Sequence, residues 1–241
     1  MTGLSHAGLL CIVGLIFICV IPRQAASQTE KDPHRPACTS ARCRQMEAFL
    51  KAHYCGQSPH GNGPDNGCEV RVPTKPQTAS VLANFHCEYN ESTHIDECKQ
   101  DGQPSSSVRN IVVDQMRRLG LPLKTVGQIH FKVWKANSTG RLVVDAEYSH
   151  TQGVDLEFCQ VIVSIDQTSN VLVLRKSPFK KTNADVPDLT AWSLVDLIDA
   201  NGDGPEEIVL EGDEYEDHWL EVISLQDRSA STIFSGLGYY L

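Results

Sequence analysis

From Gly127 onward apolar residues fall at every second position, and this change of period constrains the fold more than any other feature of the chain. Ile129, Phe131 and Val133 point one way and His130, Lys132 and Trp134 the other, the pattern of a strand. Asn137 to Gly140 makes a turn into a strand over Arg141 to Tyr148. Further strands are expected at Leu156 to Ile165, Val171 to Arg175, Leu194 to Leu197, Glu207 to Leu210, His218 to Leu225 and Ser231 to Phe234. Turns of a few residues join them, with no helical stretch between. Parallel neighbours need long crossovers, so the spacing favours antiparallel pairing in a β-meander or small sheet.

Upstream the period is helical. Thr39 or Ser40 can cap a helix over Ala41 to Tyr54 that places Met46, Phe49, Leu50 and Tyr54 near one face, pairs Glu47 with Lys51 and stops at Gly56. A second, amphipathic helix runs from Val108 to Leu119. It ends at Gly120 and Pro122, with Arg117 and Arg118 in the last turn where cations complement the dipole. The expected class is α+β: a disulfide-stapled helical and loop N-terminal module, one amphipathic helix, then an antiparallel β-meander sheet packed against it.

The first residues read as a secretory signal. An apolar run from Gly8 to Ile21 ends at Pro22, and Ala25 and Ser27 supply small residues for a cut after Ser27. The run is shorter than the roughly 20 apolar residues needed to span a bilayer, so cleavage without stable membrane insertion is expected. The domains are then 1–27 signal peptide, 28–101 Cys-rich module and 102–241 α+β domain, and the protein is secreted, periplasmic or at the cell surface. Losing Arg23 with the signal takes the formal net charge from −9 to −10. Such a chain repels nucleic acid and anionic membranes and suits cations.

Two of the nine cysteines leave with the signal. Cys38, Cys43, Cys55, Cys68, Cys87, Cys98 and Cys159 remain, and in an oxidising compartment they are disulfide candidates. Cys55 and Cys68 bracket a glycine-rich loop, Cys87 and Cys98 a second polar one. Cys159, inside an apolar strand, is either the odd thiol or a link between the two halves. Connectivity is not deducible from spacing. Cys38, Cys43, Cys55, Cys68 and Cys87 with His53 and His86 make zinc a competing reading, although no paired C-x-x-C knuckle occurs.

Asp199-Ala200-Asn201-Gly202-Asp203-Gly204-Pro205-Glu206-Glu207 spells D-x-N-x-D-G-x-x-E, with side-chain oxygens at loop positions 1, 3, 5 and 9. Calcium takes six to eight oxygens at about 2.3–2.6 Å, so short acidic side chains must converge from alternate positions of a curled backbone that Gly204 permits. The Pro205 carbonyl is the expected backbone ligand. An EF-hand carries a glutamate at position 12 on an outgoing helix, whereas Leu210 stands here within a strand.

The pattern resembles the calcium loop of FG-GAP and VCBS-type repeats, known from the β-propeller of integrin α chains, in which the loop joins two strands of one blade. The resemblance covers about residues 192–225 as a single copy, and implies Asp199, Asn201, Asp203, Pro205 and Glu207 as ligands. The rest of the chain resembles uncharacterised secreted bacterial proteins.

No G-x-S-x-G elbow, H-E-x-x-H helix or Gly-rich phosphate loop occurs, and Gly236-Leu237-Gly238 reads as a flexible tail. Asp213, Glu214, Glu216, Asp217 and His218 read as a solvated hairpin that could also form an acid/base cluster. Trp134, Trp192, Trp219, Tyr148 and Tyr215 read as core, with a carbohydrate platform as the rival. The expectation is an exported calcium-binding protein with a structural role or an unknown protein or carbohydrate ligand, calcium stabilising a turn between strands. The alternatives are a secreted hydrolase using calcium for stability only, and a Cys/His zinc module.

Overall fold

The computed structural model describes residues 41–56, 69–70, 78–90, 95–200, 202–215, 217–226 and 229–240. The expected signal peptide, Cys38 and Cys68 lie outside them. Helix α1 (Ala41–Tyr54) occupies the span its periodicity indicates, and Lys51 Nζ reaches Glu47 Oε1 at 2.8 Å. Helix α2 (Ser106–Arg118) is capped by Ser105, whose hydroxyl accepts from the Val108 N–H at 3.4 Å. Short strands β1 (Cys55–Gly56) and β2 (Glu69–Val70) pair with each other.

Ten longer strands follow: β3 (Ala79–Asn90), β4 (Ile95–Asp101), β5 (His130–Ala136), β6 (Leu142–Gln152), β7 (Asp155–Ile165), β8 (Val171–Asn183), β9 (Ala191–Ile198), β10 (Glu207–Glu214), β11 (Asp217–Gln226) and β12 (Ser229–Tyr240). All pairing is antiparallel, so the α+β class and the meander hold. The meander is split, however. β5 to β8 belong to a six-stranded sheet of order β4-β3-β5-β6-β7-β8, and β9 to β12 form a separate four-stranded sheet. Strands β3 and β4 reach into the Cys87 to Cys98 segment that was expected to be polar loop, and β3 also covers residues 79–86, for which no element was expected; Ala79–Ala83 pairs with Val133–Ala136. The Cys-rich segment and the α+β segment therefore share one sheet across the boundary at residue 101. Gly236-Leu237-Gly238 is part of β12 rather than a tail.

Three apolar layers order these elements. Val108, Val112 and Met116 of α2 pack on Phe131, Val144, Cys159 and Val161 of the six-stranded sheet. Its other face, with Trp134, Val143 and Ile162, meets Trp192, Leu210 and Trp219 of the four-stranded sheet. The far side of that second sheet, through Val195, Val209, Val222 and Phe234, is covered by Met46, Leu50 and Tyr54 of α1. The order is helix, sheet, sheet, helix. Burial on both faces explains the continuous apolar run Val161-Ile162-Val163 in β7, where simple alternation breaks down.

Trp192 and Trp219 meet edge-on with centroids 5.4 Å apart. Gly212 makes that contact possible, because a Cβ there would lie 2.4 Å from the Trp219 ring. All three tryptophans and Tyr148 are buried, and Tyr215 alone of the five candidate platform aromatics is about half exposed. Among the described residues no helix is long and apolar enough to cross a membrane.

Candidate metal centre

The D-x-N-x-D-G segment links two directly paired strands, since Glu207 at the start of β10 stands opposite Ile198 at the end of β9. Asp199 follows the strand immediately, and its Oδ2 accepts from the Gly204 N–H at 3.1 Å, closing the curl from position 1 to position 6. Gly202 and Gly204 have φ of +74° and +100°, with nothing within 4 Å of a Cβ placed on either. Handedness of the backbone, rather than lack of space, therefore demands glycine at both.

Glu207 is 2% exposed, and its Oε2 accepts from the Ala200 N–H at 2.9 Å. Asp203 and Pro205 stand exposed, and Asn201 lies outside the described residues. Among the described residues no three His, Cys, Asp or Glu side chains form a group able to hold a metal ion. The structure thus supplies the curl and brings Asp199 and Glu207 onto loop N–H groups, without gathering Asp199, Asp203 and Glu207 into a cluster. The candidate donors are carboxylate, amide and carbonyl oxygens, the ligand types that a hard cation takes.

Glu206, given no role in the sequence pattern, points away from the loop. Its Oε1 accepts from the Ser138 N–H at 2.7 Å and its Oε2 from the Ser138 hydroxyl, on the turn between β5 and β6. No local signal marks this pair, because its members are 68 residues apart.

The strand leading into the loop is anchored on both sides. β9 is an edge strand, and side chains of the six-stranded sheet occupy its free backbone groups. Gln160 Oε1 accepts from the Trp192 N–H at 2.8 Å while its Nε2 donates to the Trp192 carbonyl at 2.5 Å and to Asp145 Oδ1 at 2.9 Å. Ser177 and Thr78 donate to the carbonyls of Thr190 and Leu197. This satisfies groups that would otherwise recruit another strand.

A bulge shifts the β9–β10 register, placing Val195 between the pairs Leu194–Leu210 and Asp196–Val209. Val195 and Asp196 then both face α1, where the Tyr54 hydroxyl donates to Asp196 Oδ2 at 2.9 Å. Burial and the nearby Asp196 carboxylate push the Tyr54 hydroxyl far above the ordinary tyrosine value.

At the opposite end of β10 lies an open cleft of about 680 Å³ between the β6–β7 turn, the β8–β9 connection and the β10–β11 hairpin. Leu156, Phe158 and Leu189 contribute apolar wall, and Asp213, Glu214 and His218 bring polar groups to it. Asp213 Oδ1 is 3.6 Å from His218 Nδ1, and the Thr190 hydroxyl donates to Glu214 Oε1 at 2.5 Å. Burial raises the Asp213 carboxyl above its ordinary value, and the neighbouring His218 works against that rise.

Among the candidate disulfide cysteines, Cys87 and Cys98 stand directly opposite each other across β3 and β4. Cys43 lies on α1 and Cys55 in β1. Cys159 is a free, buried thiol in this structure, pushed by burial to about 11. Compared with known proteins, the chain matches no family model, no curated protein and no solved structure.

Proposed function

We propose that this is an exported calcium-binding protein in which the loop Asp199 to Glu207, similar to those of FG-GAP and VCBS-type repeats, holds the ion between two strands of the four-stranded sheet. The observation that carries the reading is the strand-to-strand curl closed by Asp199 on the Gly204 N–H, with left-handed glycines at positions 4 and 6. Asp199, Asn201, Asp203, the Pro205 carbonyl and Glu207 are the proposed ligands. The bound cation supplies positive charge to a loop end rich in carboxylates, and its role is structural, in support of a protein or carbohydrate partner.

At affinities of about 0.1–1 mM, usual for extracellular modules, ten times the dissociation constant adds about 1.4 kcal/mol of stability. For a chain of this size that is a rise in Tm of roughly 3–6 °C. Calorimetric titration of chelator-treated protein is expected to show saturable heat that the double variant Asp199→Ala, Asp203→Ala lacks. Equal heats from both proteins would remove the site.

Secretion with a disulfide framework completes the proposal. Residues directly opposite in an antiparallel pair have Cα atoms about 4.5–5.5 Å apart, within the range a disulfide bridges, which supports Cys87–Cys98 as one of its bonds. Unreduced protein is expected to resist alkylation when native and to yield one reactive thiol, Cys159, in denaturant. Several thiols appearing after chelation would favour zinc instead.

One observation supports the second reading, a hydrolase stabilised by calcium: carboxylates and a histidine share the cleft beyond the β10–β11 hairpin. It ranks lower because Asp213 faces His218 and Glu214 is held by Thr190, so both acids have structural partners.

A further inference from the structure

We infer that the calcium loop is also a clasp between the two sheets, in which Glu206 transmits the state of the loop to Ser138 on the β5–β6 turn; the inference rests on the calcium reading above.

Consecutive strand residues point to opposite faces, and Glu206 and Glu207 stand at the entry to β10. Glu207 turns back to Ala200 inside the loop, and Glu206 reaches the other sheet. Whatever fixes the backbone around Glu207 therefore fixes the origin of the Glu206 side chain. Glu206 is 7% exposed and engages both the N–H and the hydroxyl of Ser138. Charge-assisted bonds in so sheltered a place are stronger than neutral ones, and a carboxylate buried without them is costly.

A cavity of about 140 Å³ lies between Pro205, Glu206 and Ile208 on one side and Ala136, Thr139 and Val143 on the other. Ala136 and Val143 on one side and Ile208 on the other also belong to the apolar layer between the sheets, and the polar contact adds to that packing at its edge. Thr78 makes a parallel connection, donating to the Leu197 carbonyl on β9 while its own carbonyl accepts from the Asn137 N–H at 3.0 Å. The turn before β6 is thus tied to both ends of the loop.

Linkage makes the coupling reciprocal: if the ion strengthens the clasp, the clasp must strengthen ion binding by the same factor. Ser138→Ala tests this cleanly, since Ser138 is exposed, carries no charge and lies outside the loop. Calcium is expected to slow amide exchange at Ser138 in the wild type, and Ser138→Ala to weaken calcium binding by calorimetry by about threefold or more, the worth of one such hydrogen bond. If the wild type binds calcium, but the variant binds within about 1.5-fold of it and exchange at Ser138 ignores the ion, the clasp is overturned while the calcium site stands. Absence of heat from the wild type would overturn both.

Discussion

Replacing Glu221 with alanine is expected to cost about 3–5 kcal/mol of unfolding free energy, a large share of the 5–15 kcal/mol that such domains possess. Glu221, on β11, forms an ion pair with Arg175 on β8, so the contact joins the two sheets. Arg175 lies over the Trp192 ring at 5.1 Å, and its guanidinium also donates to the Thr232 hydroxyl at 2.8 Å and the Leu174 carbonyl at 2.6 Å. Glu221 Oε1 accepts from the Trp219 indole at 3.3 Å. Removing the carboxylate strands a guanidinium that burial already pulls below its ordinary value. The double variant Arg175→Met, Glu221→Leu is expected to recover most of the loss, because two apolar side chains escape the desolvation cost that a lone charge bears. Urea unfolding of the three proteins checks this. A single variant within about 1 kcal/mol of wild type would show the pair to behave as an exposed one.

Which parts of this architecture were legible in the sequence follows from how local each signal is. The two helices and the strands from β5 onward were, since Met46, Leu50 and Tyr54, or Phe131 and Val133, repeat at the period of their element. Strands β3 and β4 were not: Val81 and Leu82 are adjacent and both nearly half exposed, and Ile95–Asp101 is almost wholly polar. Only their mutual pairing and the union of β3 with β5 make them strands. The division into two sheets left one local trace, the doubly buried run in β7. The curl from Asp199 to Glu207 was visible because glycine and aspartate in phase state a backbone geometry directly. Its tie to Ser138, and the anchoring of β9 by Gln160, depend on residues brought together only by the packing of one sheet on the other.

That packing also encloses a carboxyl whose titration bears on stability in mildly acid solution. Asp145 is 1% exposed in β6, and burial raises it from 3.8 to about 6 despite Lys132 opposite it on β5, the Gln160 amide and a hydrogen bond from the Leu194 backbone. Between those two values the folded chain holds a proton that the unfolded chain has released. Raising the pH through this window therefore works against the fold, and the unfolding free energy is expected to fall by about 3 kcal/mol from about pH 4 to pH 6 on account of this group. Glu157, which the Lys181 ammonium lowers, changes stability in the opposite sense in more acid solution. The informative quantity is thus the difference between wild type and Asp145→Asn, measured by urea unfolding across the range. That difference should shift steadily in favour of the variant as pH rises, since asparagine keeps the shape without the buried charge. A constant difference would mean that Asp145 titrates in the fold as it does in water. The residue is retained at this cost because an acceptor is needed there: an apolar side chain would leave the Leu194 N–H of an edge strand unsatisfied inside the sandwich.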